Sequence, residues 1–95
     1  MKGLINKMET YQRFMVTLGN LENVSNFVDV ISSFSFDIEA SSQNKHCVNA
    51  KSIMSLLSLD VLQPIEIRLF TDNEMAITRF SKDIEGYISK GTYFK

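Results

Sequence analysis

The chain has little of the chemistry that cross-links a protein or binds a metal. Its 95 residues include one cysteine, Cys47, one histidine, His46, and no tryptophan. A single cysteine cannot form an internal disulfide, and the lone histidine beside it does not give the ligand spacing of a metal site. These absences exclude a disulfide-stabilised scaffold, predict no bound metal and favour a reducing, cytoplasmic location.

Long apolar runs and an excess of either charge are also missing. No stretch approaches the roughly 20 apolar residues of a membrane-spanning helix, and residues 1–8 lack the apolar run of a signal peptide. Ten basic and eleven acidic residues leave a net charge of -1, which creates no positive field for nucleic acid or an anionic membrane. We therefore expect neither nucleic acid nor membrane as a partner, and predict a tail at 1–8 followed by one domain at 9–95.

Motifs for catalysis are absent as well. The sequence contains no glycine-rich phosphate loop and no nucleophile elbow. Asp72, Glu74 and Asp83 are better interpreted as helix-terminus and surface charges than as an acid/base pair. His46 is expected to be a solvated hairpin residue and Cys47 an ordinary strand residue. The sequence thus predicts neither an enzyme nor a cofactor.

Alternating apolar residues indicate four strands, because successive side chains of a strand point to opposite faces. A turn at Ser42–Lys45 is expected to join the second strand to the third in a hairpin. The predicted strands are Tyr11–Leu18, Phe36–Ala40, His46–Ala50 and, after Pro64, Ile65–Leu69.

Apolar residues at intervals of three and four predict helices between these strands. The stripe of the first helix consists of Leu21, Val24, Phe27, Val28 and Ile31. Asn20 or Asn23 is a candidate cap for that helix, and Ser52 is one for a short helix over Ile53–Leu59. The sequence from Thr71 to Glu74 has the spacing of a capping box, and Gly91 is a candidate stop for the helix that follows.

This order of elements predicts an α/β (α+β) fold in which helices cover one face of a small sheet, an open-faced sandwich. One core is expected, since the chain has room for a single domain. The order alone does not distinguish this arrangement from a ferredoxin-like one, which also packs helices against a four-stranded sheet.

The most distinctive segment is Val48–Leu59, which reads VNAKSIMSLLSL and joins a short strand to a serine-capped, leucine-rich turn of helix. It resembles the phosphocarrier protein HPr of the sugar phosphotransferase system. In that family the equivalent Lys-Ser-Ile-Met segment carries a regulatory serine. The resemblance extends through the order of elements from Tyr11 to Ser89. It implies the HPr fold, β-α-β-β-α-β-α, with an antiparallel four-stranded sheet in the order 1-4-2-3 and three helices on one face.

By this resemblance Ser52 is the candidate site of regulatory phosphorylation. A phosphate on an N-cap hydroxyl interacts favourably with the same amides and with the positive end of the helix dipole. Ser55 departs from the family, which usually has glycine there. The resemblance also implies contacts with a protein partner, for which the candidates are Lys51, Ile53, Met54, Leu56 and Leu57.

A second family motif, Gly-x-His-x-Arg-Pro, is not found. In HPr its imidazole accepts the phosphoryl group, and the arginine and helix amides stabilise it. Alignment on Phe27 and Val28 places Asn20 at the histidine position, Glu22 at the arginine and Asn23 at the proline, while a slip of one residue places Leu21 at the histidine. A carboxamide nitrogen is a poor nucleophile, and a carboxylate repels phosphate.

The sequence therefore favours an HPr-like regulatory module without phosphocarrier activity, similar to catabolite repression HPr, a family branch that also lacks the histidine. Its expected partner is a protein, such as an HPr kinase or a transcriptional regulator, and the expected state is a monomer or weak dimer. Two alternatives stay open. One is a plain interaction domain without phosphorylation, and the other is a phosphocarrier with an unrecognised acceptor.

Overall fold

The computed structural model describes residues 12–42 and 46–89. Within these ranges the chain forms four strands, three α-helices and one 3₁₀ turn. In chain order they are β1 Gln12–Val16, α1 Leu21–Ile31, β2 Ile38–Ser41, β3 Val48–Asn49, α2 Ile53–Leu57, β4 Ile65–Leu69, α3 Glu74–Asp83 and the 3₁₀ turn Glu85–Tyr87. The predicted tail at 1–8 and residues 43–45 of the predicted hairpin turn lie outside the described residues.

The four strands form one antiparallel sheet in the order β1-β4-β2-β3. Ile67 on β4 lies opposite Phe14 on β1 and Ala40 on β2, and Ala40 in turn lies opposite Val48 on β3. Directly paired residues share a face of the sheet, so these positions form the apolar face. The predicted HPr-like topology is confirmed.

The helices bury this apolar face, as expected for a sheet that is hydrophobic on one side. Phe27 from α1 and Phe80 from α3 are both fully buried. The ring of Phe80 lies 5.5 Å from that of Phe14 on β1 and 5.2 Å from that of Phe34, which follows α1. One aromatic cluster thus joins α3 to the sheet and to the end of α1.

The structure corrects the predicted start of α3. Asn73, rather than Thr71, is the N-cap, and its side-chain oxygen accepts a hydrogen bond from the Ala76 N–H at 3.1 Å. The Thr71 hydroxyl instead accepts from the Asn73 N–H at 3.1 Å, in the turn before the helix. The capping-box prediction was wrong because an asparagine two residues later satisfies the amide in the first turn.

Replacement of Asn73 with alanine is expected to lower the free energy of unfolding by about 1 kcal/mol, the usual value of an N-cap side chain. Urea denaturation of the full chain measures this difference. Thr71→Ala is the matched comparison and should cost less, because its hydroxyl bonds an amide outside the helix. A larger loss of unfolding free energy for Thr71→Ala than for Asn73→Ala would show that Thr71 is the N-cap of α3 after all.

The end of α3 also differs from the prediction. The α-helix stops at Asp83 rather than near Gly91, which lies outside the described residues. After the 3₁₀ turn, Ile88 forms an isolated antiparallel bridge with Val16. The Thr17 N–H donates to the Tyr87 carbonyl at 2.8 Å. Backbone pairing with β1 therefore replaces the last helical turns.

Among the described residues, no helix combines the length and apolar character required to cross a bilayer.

Candidate functional site

Ser52 occupies the amino end of α2. Its backbone is extended, its hydroxyl accepts a hydrogen bond from the Ser55 N–H at 3.2 Å, and its carbonyl accepts from the Leu56 N–H at 3.0 Å. The residue is half-buried. The predicted capping role is confirmed, since the side chain satisfies a backbone donor in the first turn.

Lys51 ties this end of α2 to the chain that follows α1. Its ammonium group donates to the Phe34 carbonyl at 2.6 Å, and its backbone N–H donates to the Asn49 side-chain oxygen at 2.9 Å. A charged donor held by a backbone carbonyl restricts the lysine to one position. In this structure Lys51 therefore links the segment just before Ser52 to Phe34, and a partner that contacts the ammonium would share it with the Phe34 carbonyl.

The apolar candidates on α2 separate into two groups. Met54 is 79% exposed and Leu57 is 42% exposed. Ile53 is half-buried and packs against the core. Leu56 is fully buried, so the expectation that its side chain contacts a partner was wrong. Met54 and Leu57 are three residues apart and share the outer side of the helix, whereas Leu56 is directed into the core.

Two further exposed apolar residues lie on neighbouring segments. Leu21, the first residue of α1, is 61% exposed, although the periodicity had assigned it to the buried stripe, and Leu62 is 69% exposed. The Gly19 N–H donates to the Val61 carbonyl at 2.9 Å, which joins the connection before α1 to the loop after α2. We call Leu21, Met54, Leu57 and Leu62 the apolar patch.

Gly19 has a specific role at this junction. Its φ is +87°, a conformation that side-chain-bearing residues rarely adopt. The reversal lets the chain leave β1, donate to Val61 and begin α1 at once.

Asn20 caps α1. Its side-chain oxygen accepts from the Asn23 N–H at 2.8 Å, and the Asn23 amide group donates to the Leu18 carbonyl at 2.7 Å. Glu22 is exposed in the first turn. The amino end of α1 is thus closed by a carboxamide and carries one carboxylate. At this end of the helix the Asn20 side-chain oxygen is already hydrogen-bonded, and Glu22 adds a negative charge.

His46 and Cys47 lie elsewhere on the sheet. Both are exposed and directly precede β3, while the connection to α1 follows β1. In the strand order, β4 and β2 separate β1 from β3, a spacing of about 14 Å at roughly 4.8 Å per strand. The Cys47 sulfur lies 3.2 Å from an Arg68 guanidinium nitrogen. No group of three metal-ligating side chains occurs in the part of the chain that the structure describes.

The comparisons with known proteins agree with this geometry. The family described as the PTS HPr component phosphorylation site matches residues 21–85, which include α1, α2 and Ser52. A crystal structure of HPr-C-His from Thermoanaerobacter tengcongensis is similar, with a TM-score of 0.61 and 32% sequence identity. The match covers 79% of this chain and 92% of that one. No match to a curated protein was found.

The family match spans more than half of the chain, and the solved relative shares both the sheet topology and the helix arrangement. The chain belongs to the HPr family of the phosphotransferase system.

Proposed function

We propose that this HPr-family protein is a protein-binding module regulated at Ser52 rather than a histidine phosphocarrier. Family members are phosphocarriers rather than catalytic enzymes, and they act by contact with other proteins. The observation that carries the proposal is the amino end of α1. There the Asn20 carboxamide already accepts the Asn23 N–H, and Glu22 supplies negative charge.

Phosphoryl transfer to this end of α1 is chemically disfavoured. The nitrogen lone pair of Asn20 is delocalised into its carbonyl, so the side chain has no nucleophile comparable to imidazole. A carboxylate at Glu22 raises the energy of an incoming phosphate dianion instead of lowering it.

Ser52 supports the regulatory part of the proposal. Its hydroxyl is the cap of α2, and Lys51 holds that end of the helix through Phe34. Phosphorylation there adds about two negative charges next to exposed Met54, without requiring the helix to unfold. The modification would therefore change the charge beside the apolar patch.

The patch itself supports the binding part. Isolated exposed apolar residues are ordinary, but adjoining ones on a small domain mark interaction surfaces. The partner we propose is a protein, with an HPr kinase acting on Ser52 and a transcriptional regulator as the binding target. The location we propose is the cytoplasm, and the proposed state is a monomer or weak dimer.

A direct test is phosphorylation of the full chain by an HPr kinase with labelled ATP. We expect phosphate on Ser52, none on a Ser52→Asn variant, and normal labelling of Ser58→Ala. Asparagine preserves an N-cap oxygen, so that variant removes the acceptor without losing the cap. Ser58 is an exposed serine on the same segment whose hydroxyl donates to the Ser55 carbonyl at 2.6 Å.

The control for this test is an HPr that the same kinase labels in parallel. If that HPr is labelled and the wild-type chain is not, regulation at Ser52 is excluded. The alternative of an interaction domain without phosphorylation would then be favoured, because the apolar patch does not include Ser52. Label on Ser58 instead of Ser52 would also contradict the assignment.

A further inference from the structure

The charges near the apolar patch indicate which charge its partner should have. Five large apolar side chains are exposed in the described residues, and four of them form the patch. The fifth, Met75, lies on α3, which follows the Leu69 end of β4. Leu21 and Leu62 lie toward the opposite end, close in sequence to Gly19 and Val61, whose hydrogen bond joins the connections that leave β1 and precede Ile65. Met54 and Leu57 lie on α2, which is in contact with α1. Four of the five exposed apolar side chains thus lie on α1, α2 and the loop that follows α2.

The segments that bear the patch are acidic. Over residues 17–26 and 52–64 the charged side chains are Glu22 and Asp60. Both are exposed, and each is adjacent or nearly adjacent in sequence to a patch residue. Asp60 accepts the Leu62 N–H at 3.1 Å, which holds its carboxylate beside the patch.

Basic side chains do not offset these charges along the same segments. The nearest in sequence is Lys51, and its ammonium is engaged by the Phe34 carbonyl beyond the far end of α1. Arg79 lies over the Phe34 ring at 5.2 Å, in that same region. The segments 17–26 and 52–64, which bear the patch, therefore carry two exposed carboxylates and no basic side chain, in a chain whose overall charge is only -1.

We propose that the patch docks a protein surface with an apolar centre and a rim of arginine or lysine, such as the exposed side of a basic amphipathic helix. This inference rests on the proposed function, because it requires that the patch is the binding surface. Complementary charges around an apolar centre select among partners and speed their encounter, while like charges at the same positions disfavour binding.

Two synthetic amphipathic helical peptides test the charge preference. They share one leucine face and differ only in flanking residues, arginine in one and glutamate in the other. Titration of the isotope-labelled full chain, followed by NMR, gives both affinities and the residues contacted. We expect the arginine peptide to bind about tenfold more tightly at low ionic strength. The ratio should fall toward one in high salt, because exposed charges are screened.

Matched variants separate the two parts of the surface. Glu22→Gln with Asp60→Asn should reduce the ratio to about twofold, and Asp72→Asn, an exposed acid near α3, should leave it unchanged. Met54→Ala with Leu57→Ala should weaken both peptides alike, and Met75→Ala neither. Equal affinity for the two peptides, preference for the glutamate peptide, or a ratio unaffected by the Glu22 and Asp60 changes would overturn the inference.

The outcomes also distinguish this inference from the proposed function. If the glutamate peptide contacts the patch more tightly, the binding surface stands and the charge preference fails. If neither peptide shifts the resonances of the patch, the inference fails, and phosphorylation of Ser52 is still decided by the kinase experiment.

Discussion

Replacement of Phe80 with alanine is expected to lower the free energy of unfolding by about 3–5 kcal/mol, the usual range for a buried phenylalanine. The side chain is fully buried and contacts the rings of Phe14 and Phe34, so its loss leaves a cavity between α3, β1 and the end of α1. Small domains are stable by only about 5–15 kcal/mol, and a large part of that margin would disappear. Urea denaturation followed by circular dichroism measures the change.

Two variants show whether the loss comes from the buried cluster. Phe36 is half-buried, and its ring lies 5.6 Å from that of Phe34, so Phe36→Ala should cost less than Phe80→Ala. Met75→Ala on the exposed side of α3 should change stability by no more than about 0.5 kcal/mol. A loss below about 1 kcal/mol for Phe80→Ala would mean that the aromatic cluster is not central to the fold.

One of the four strands was predicted to the residue, whereas the other three have different bounds in the structure. Ile65–Leu69 has the same bounds in sequence and structure, because alternation fixes its two faces and Pro64 limits its start. The stripe of α1 was also largely right, since Val24, Phe27, Val28 and Ile31 are all buried. Hydrophobic periodicity is sufficient where the local pattern and the tertiary packing agree.

The C-terminal part of the domain shows where periodicity fails. Ile84, Tyr87 and Ile88 continue a helical spacing, yet the structure uses Ile84 as a cap and Ile88 as a bridge partner of Val16. The Phe27 and Tyr87 rings pack edge to face, with their centroids 5.3 Å apart. This contact joins segments that are far apart in sequence. Pairing with a distant strand is not encoded in local spacing, so the helix was predicted too long.

The candidate site was predictable in its local features only. The N-cap role of Ser52 follows from its position before a short apolar run, and the structure confirms it. The exposure of Leu21 and Leu62 and the burial of Leu56 depend on how α1, α2 and the following loop pack together. A helix as short as Ile53–Leu57 gives too little periodicity to assign its faces, which is why Leu56 was misassigned.

The second large effect follows from the proposal that this chain is not a histidine phosphocarrier. We expect the wild-type chain to take up no acid-labile phosphate from phosphoenolpyruvate and enzyme I, under conditions that label an ordinary HPr. The Asn20 side-chain oxygen accepts a hydrogen bond from the Asn23 N–H, and the Glu22 carboxylate repels an incoming anion. Electrophoresis of the labelled protein, before and after mild acid, measures phosphate bound to nitrogen.

Substitutions that introduce the family's histidine and arginine at the amino end of α1 should allow phosphorylation there. A variant with Asn20→His and Glu22→Arg supplies an imidazole nucleophile and a cation at the amino end of α1, and we expect labelling at least about tenfold above the background signal of the wild-type reaction. Glu22→Arg alone should give none, because it restores charge without a nucleophile. Thermal unfolding of each variant controls for loss of the Asn20 cap, which is worth about 1 kcal/mol. Acid-labile phosphate on the wild-type chain would instead establish an unrecognised acceptor, and the regulatory proposal would give way to a phosphocarrier.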